Sequence, residues 1–254
     1  MTKQTILTVT DLAKKYDNDF EAVKGVSFEV HKGEVFGILG PNGAGKTTTL
    51  EMIEGLKDIT SGSAIIDGIN VAEHPDRVKE IIGVQPQSSA FLDEAKLTET
   101  LVAFAAMYGN RIDTMSLLEK VGLESKSGSY PEQLSGGQRQ RFSIAVALVH
   151  QPRVLFLDEP TTGLDPQARR NLWELVQSIA ADGVTVILTT HYMEEAQVLC
   201  DRVAIMDEGK IVALDKPNHL IDQLLKRGFK PRVEVQAATL EDVFIDLTGK
   251  DLRD

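Results

Sequence analysis

One cysteine, Cys200, stands among 254 residues, so no internal disulfide can form. A small disulfide-stapled scaffold is excluded, and the lone thiol reads as a buried residue of a reducing compartment. Histidine is scarce too: His31, His74, His150, His191 and His219 include no pair at zinc-ligand spacing. Basic charge falls short of acidic charge, 27 Lys and Arg against 38 Asp and Glu, a formal net charge of −11. Non-specific nucleic-acid binding wants a basic face, so no nucleic-acid partner is expected. Long apolar runs are missing, and none approaches the roughly 18 residues of a membrane-spanning helix. The opening MTKQTILTVTDL lacks the charged-then-apolar pattern of a signal peptide. A soluble, cytoplasmic chain is the expectation.

Apolar residues make up 42% of the chain, enough for a sizeable core. Apolar, β-rich runs recur at Ile6–Val9, Val26–Val30, Val35–Leu39, Ala64–Ile66, Ile81–Val84, Val154–Leu157, Val184–Leu188, Val203–Met206 and Ile211–Leu214. Several are continuously apolar, as strands buried on both faces should be. Helical patterns fall between the later runs: Leu172, Leu175, Val176 and Ile179 follow i, i+3, i+4, i+7, as do Phe142, Ala145, Val146 and Val149. That alternation predicts an α/β fold with a parallel sheet covered by helices. The opening three runs, ahead of the first helix, read as antiparallel, and Val203–Leu214 reads as a hairpin around Asp207-Glu208-Gly209. From about Ser88 to Tyr130 the pattern is helical (Leu97, Leu101, Phe104, Ala105, Tyr108), which predicts an inserted helical subdomain. The last forty or so residues read as a small separate unit. Within it Thr239-Leu240-Glu241-Asp242 is a capping-box start, and Leu240, Val243, Phe244 and Leu247 form one apolar stripe.

Gly40-Pro41-Asn42-Gly43-Ala44-Gly45-Lys46-Thr47-Thr48 lies between one of the buried runs and a helical segment. It fits G-x-x-x-x-G-K-[ST]. Glycines let backbone N–H groups curl around phosphate oxygens, and the following helix turns its partial positive end to the same place. Lys46 is expected on the β- and γ-phosphates, with the Thr47 hydroxyl on Mg²⁺. Val154–Leu157 then delivers Asp158 and Glu159 at a strand's C-terminal end, the edge where parallel sheets bind ligands. Asp158 suits Mg²⁺, and Glu159 suits polarisation of an attacking water. A second anion-ready helix start is Leu134-Ser135-Gly136-Gly137-Gln138, where Ser135 can cap and two glycines permit close backbone approach.

LSGGQ between a phosphate loop and an Asp-Glu strand resembles the signature of ABC ATPases, and the resemblance covers nearly all of Ile6–Leu214. It implies a P-loop NTPase fold of that type, with a mixed core sheet, an antiparallel β region, an inserted helical subdomain and a small C-terminal extension. The domains implied are a RecA-like core of residues 1–87 and 151–215, a helical subdomain of 88–150 carrying the signature, and an extension of 216–254. It implies that two subunits face head to tail, each ATP lying between one P-loop and the other's Ser135, Gly136, Gly137 and Gln138. Tyr16 resembles the aromatic that stacks on adenine. Gln87 resembles the glutamine that senses Mg²⁺ and the γ-phosphate; Gln85 is nearby, but the spacing from Pro86 favours Gln87. Asp165, in Gly163-Leu164-Asp165, resembles the D-loop and also reads as a helix N-cap ahead of Pro166. His191 resembles the switch histidine.

The expected function is ATP hydrolysis driving a separate membrane-spanning subunit, from the inner face of the cell membrane. The subunit is expected to dock along Gln87 to about Tyr108, with Phe91, Leu92 and Tyr108 as candidate contacts. The tail and Thr190-His191-Tyr192-Met193-Glu194-Glu195-Ala196 resemble the drug-resistance exporters, which implies export of drugs, lipids or other hydrophobic compounds. The intact signature is in keeping with two competent sites in a homodimer. The alternatives are an importer ATPase, or a soluble ABC ATPase acting on nucleic acid or ribosomes.

Overall fold

The computed structural model describes residues 4–87, 91 and 94–229. The chain opens with β1 (Thr5–Lys15), β2 (Glu21–His31) and β3 (Val35–Leu39), then α1 (Lys46–Ile53). Next come β4 (Ser61–Ile66), β5 (Ile69–Asn70), α2 (Pro75–Lys79) and β6 (Ile82–Gln85). Helices α3 (Leu97–Met107), α4 (Thr114–Lys120) and α5 (Gly136–Leu148) follow. The chain then alternates β7 (Val154–Asp158), α6 (Pro166–Ala181), β8 (Thr185–Thr190) and α7 (Met193–Leu199), before β9 (Arg202–Asp207), β10 (Lys210–Asp215) and α8 (Pro217–Lys226).

Two sheets form. One is antiparallel, in the order β2-β1-β4-β5; the other has six strands, in the order β10-β9-β3-β8-β7-β6. Strands β9, β3, β8, β7 and β6 run parallel, and β10 closes the edge antiparallel to β9. The expectation for the opening three strands is therefore corrected. β1 and β2 pair antiparallel, but β3 leaves them and pairs parallel with both β8 and β9. All five of its residues are buried, a pattern that suits the middle of a covered parallel sheet rather than an edge ribbon. The hairpin stands: Asp207 pairs with Lys210, and Glu208 and Gly209 take φ of 44° and 80°, the left-handed pair that a two-residue turn requires.

Strand periodicity divides the core. Phe36, Ile38, Phe156 and Ile187 face the antiparallel sheet and α1, where Phe36 stacks on Phe28 with ring centroids 5.2 Å apart. Val35, Leu39, Leu155, Leu157, Val186 and Leu188 face the other way, onto α3, α5 and α6. Each fully buried aliphatic or phenyl side chain contributes about 1.5–3 kcal/mol. The sheet is thus clamped on both faces, which fixes the C-terminal ends of β3, β8, β7 and β6 side by side. Leu97, Leu101, Leu118 and Phe142 belong to the same core as Leu155 and Leu172, so the helical segment packs directly on the sheet. Phe91 packs against Phe142, 5.0 Å between centroids, and Tyr108 stacks on His150 at 4.0 Å. Leu92 and the tail motif at 239–249 lie outside the described residues.

Candidate active site

The loop at 40–49 leaves β3 and enters α1 under close backbone constraint. A Cβ on Gly40 would lie 2.2 Å from the Met206 carbonyl, and one on Gly45 2.5 Å from the Ala22 carbonyl. Gly43 and Gly45 take φ of 82° and 97°, so neither position suits a larger residue. Gly45 caps α1 without any side-chain bond, which leaves the first-turn N–H groups of the helix open. Asn42, Gly43, Gly45, Lys46, Thr47 and Thr48 line a cleft of about 560 Å³. Pro41 and Ala44 instead hold the loop: the Pro41 carbonyl accepts from Ala44 N and Lys46 Nζ, and the Ala44 carbonyl accepts from Gly209 N.

Lys46 is 4% exposed, and its Nζ lies 3.1 Å from Glu159 Oε1. Two opposite charges are thus desolvated together, an arrangement that holds only while each answers the other. Glu159 also receives His191 Nδ1 on Oε2 at 3.1 Å and the Thr162 hydroxyl at 3.3 Å. Its φ of 47° is left-handed, a strained conformation for a non-glycine residue, held by its N–H donating to Thr189 Oγ1 (3.0 Å) and to the Thr189 carbonyl (3.2 Å). Asp158, one residue back and buried, accepts the Thr47 hydroxyl at 3.2 Å and the Thr189 hydroxyl. Burial lifts the Asp158 carboxyl above the usual carboxylate range, with the Thr189 and Thr47 hydroxyls pulling against it.

These groups meet because of strand order. β3 supplies the loop, β7 Asp158 and Glu159, β8 Thr189 and His191, and β6 leads to Gln87. Gln87 lines the cleft, whereas Gln85 is fully buried within β6. Tyr16 and Phe20 line the far end, their rings 6.3 Å apart and nearly parallel, and Tyr16 OH meets Lys57 Nζ at 3.1 Å. Thr189 was not among the sequence candidates. Its signal is register alone: it sits opposite Asp158 in the β7–β8 pair.

The residues of the second motif lie elsewhere. Ser135 caps α5 by accepting from Gln138 N, and the Gln138 side chain returns a bond to Ser135 N. A Cβ on Gly137 would lie 2.8 Å from Ala168 Cβ, so α5 starts close against the start of α6. Asp165 caps α6, accepting from Ala168 N at 2.8 Å. None of Ser135, Gly136, Gly137, Gln138 and Asp165 lines the cleft.

Chemically, the cleft offers open helix N–H groups and one lysine for an anion, two oxygen ligands (Thr47 and Asp158) that suit a hard divalent cation, and one carboxylate held beside a histidine. The chain matches the ABC transporter family over residues 23–162. It is 42% identical to a Nod factor export ATP-binding protein I of Ralstonia nicotianae, across 85% of this chain and 68% of that protein. It is 41% identical to a linearmycin resistance ATP-binding protein of Bacillus subtilis, across 88% and 72%. Among solved structures it resembles cbiO1 of Clostridium perfringens, part of the ABC transporter complex cbiONQ, with TM-score 0.79, 28% identity and coverage of 91% and 96%. It also resembles a dimeric ATP-binding cassette in a post-hydrolysis state bound to ADP and Pi, with TM-score 0.75, 26% identity and coverage of 84% and 99%. Phosphate loop, acidic strand end, histidine and matched family agree, and the chain belongs to the ABC transporter family as an ATP-binding, ATP-hydrolysing subunit.

Proposed function

We propose that this subunit powers export of a hydrophobic compound through a separate membrane-spanning protein, as a head-to-tail homodimer on the cytoplasmic side. One observation carries the dimer reading. The phosphate loop and the Ser135–Gln138 helix start are both built for anions, yet only the first lines the chain's own cleft. The second therefore serves a nucleotide held by another copy, for which Asp165 is placed at the neighbouring helix start. The dimeric cassette among the similar structures supports this. Export is supported by the functions named for the relatives, Nod factor export and linearmycin resistance. Among the described residues no helix is long and apolar enough to cross a membrane, in keeping with a separate membrane partner.

In this reading Tyr16 stacks on adenine, and Asn42 to Thr48 hold the phosphates, with Lys46 exchanging its Glu159 contact for phosphate oxygens. Thr47, Asp158 and Gln87 would hold Mg²⁺, which supplies Lewis-acid stabilisation of phosphate charge when bound. Glu159, released from Lys46 and still beside His191, orients and deprotonates the attacking water. The bond between the γ-phosphorus and its bridging oxygen breaks, giving ADP, phosphate and a proton. His191 contacts the γ-phosphate end and couples its loss to reopening. The division into a core of 1–87 and 151–215, a helical subdomain of 88–150 and an extension of 216–254 belongs to the same reading. It is supported by strand origin, since every described strand of the six-stranded sheet comes from the first two stretches.

The test is light scattering of purified Glu159→Gln with and without Mg-ATP. A monomer that becomes a dimer only with Mg-ATP is the expected result. A monomer that binds Mg-ATP at saturation and stays monomeric would sink the reading.

A further inference from the structure

Glu195 is a buried carboxyl with no place in the nucleotide cleft. It sits in the first turn of α7, 0% exposed, and is absent from the cleft lining. Trp173 of α6 donates its indole N–H to Glu195 Oε1 at 3.2 Å. The Thr190 and Thr161 hydroxyls stand within reach of the carboxyl, and the Arg169 charge lies nearby. Burial lifts the Glu195 carboxyl above the usual carboxylate range, while the Thr190, Thr161 and Trp173 donors and the Arg169 charge pull against it. A buried carboxyl that draws its donors from three separate segments fixes those segments relative to one another.

Two of those segments carry the groups around Glu159. Thr161 precedes Thr162, whose hydroxyl donates to Glu159 at 3.3 Å. Thr190 precedes His191, which meets Glu159 Oε2 at 3.1 Å. Thr190 Oγ1 accepts from Tyr192 N at 2.9 Å, which leaves its own proton for Glu195. The Tyr192 ring packs on the His191 ring, with centroids 4.1 Å apart, and the Arg169 guanidinium lies 4.8 Å from it. One contact stands open. Glu195 Oε2 and Thr161 Oγ1 are both buried with no completed hydrogen bond among the described residues. One is an acceptor and the other can donate, so a small movement of the 161–165 segment towards α7 would satisfy both.

We propose that Glu195 is a positioning residue for the hydrolytic step. From behind the cleft it ties the 190–192 turn to α6 and to the 161–165 segment, and so holds His191 on Glu159. This rests on the roles given above to Glu159 and His191. Because Glu195 does not line the cleft, it acts on the chemical step and not on the hold on the nucleotide.

The experiment measures steady-state phosphate release and ATP affinity for Glu195→Gln, His191→Ala and the double variant. Glu195→Gln keeps the side-chain volume and an acceptor for Trp173, but turns a donor towards the threonine hydroxyls. Its kcat should fall roughly 10- to 100-fold, the cost of misplacing a reacting group by about an ångström, with ATP affinity unchanged. His191→Ala should be slower still. Adding Glu195→Gln to it should cost less than about 2-fold more, because the two residues act as one unit. Losses that multiply in the double variant would mean a general structural role and would overturn the inference. Wild-type kcat in Glu195→Gln, or a fall confined to ATP affinity, would overturn it too. Thr161→Val deletes only the facing hydroxyl and carries the same test if Glu195→Gln does not stay folded. Its kcat should fall with ATP affinity unchanged, and a wild-type kcat would again overturn the inference. In all these cases the proposed function stands. Wild-type hydrolysis by His191→Ala would instead contradict the role given to His191 there, and this inference would fall with it.

Discussion

Among the described residues, the helix starts of α1 and α5 are both suited to anions, and they are finished differently. α1 begins at Gly45 with no side-chain cap, and beside it Lys46 is held by a carboxylate. α5 begins at Ser135 inside a closed capping box with Gln138. The first is locally incomplete, since its open N–H groups and internally paired lysine are satisfied in full only by an incoming polyanion. The second is complete as local structure, packed through Gly137 onto Ala168, and can present its remaining backbone to something outside the chain. In the proposed dimer, the site that binds for its own chain and the one that binds for the partner differ in how each helix end is capped.

Glu159→Gln should bind ATP and lose roughly 10²–10⁴ in hydrolysis rate, the range for a removed general base; steady-state phosphate release checks it, and near-wild-type turnover would remove Glu159 from catalysis. Lys46→Ala should weaken ATP binding to the isolated monomer by roughly 30-fold or more, because it removes the phosphate's cation and strands Glu159. Calorimetric titration reads this directly, and unchanged affinity would refute the first helix start as the nucleotide's own.

The third prediction concerns the neighbouring carboxyl. Glu54 is raised from 4.5 to about 8 in the folded chain, so the native state binds its proton more tightly than the unfolded chain does. Stability is therefore greatest in this respect below pH 4.5 and is lost as pH rises through about 8. The melting temperature of wild type should fall relative to Glu54→Gln across that window, and a constant gap would contradict the assignment. The smallest effect belongs to the capped end. Ser135→Ala should cost about 1 kcal/mol of stability and leave monomer ATP affinity unchanged while lowering hydrolysis. Weaker ATP binding by the monomer would erase the difference between the two helix starts.

Much of this was legible beforehand. The phosphate loop and Asp158-Glu159 announce themselves because each follows a continuously apolar run, and such runs become the covered central strands. The same signal argued against reading β3 as antiparallel: Val35-Phe36-Gly37-Ile38-Leu39 is apolar on both faces, which an edge ribbon would not be. β5, two residues long, carries no period to detect. Thr189 looks like any β-branched strand residue, and its bonds to Asp158 and Glu159 follow from strand register rather than composition. Glu54 was hidden for another reason. Glu51 and Glu54 sit three apart at the end of a short helix, where charges usually face water, and only the folded chain buries one of them.

In the proposed dimer the first helix start of one chain works with the second helix start of another. Mixing Lys46→Ala chains with Ser135→Ala, Gly137→Val chains and measuring ATP hydrolysis tests it most directly. A mixed dimer then holds one intact composite site, with a sound phosphate loop from the second chain and a sound capped helix from the first. Activity that neither variant has alone is expected in the mixture. A mixture as inactive as its two components, with both chains folded and mixed dimers demonstrated, would contradict it.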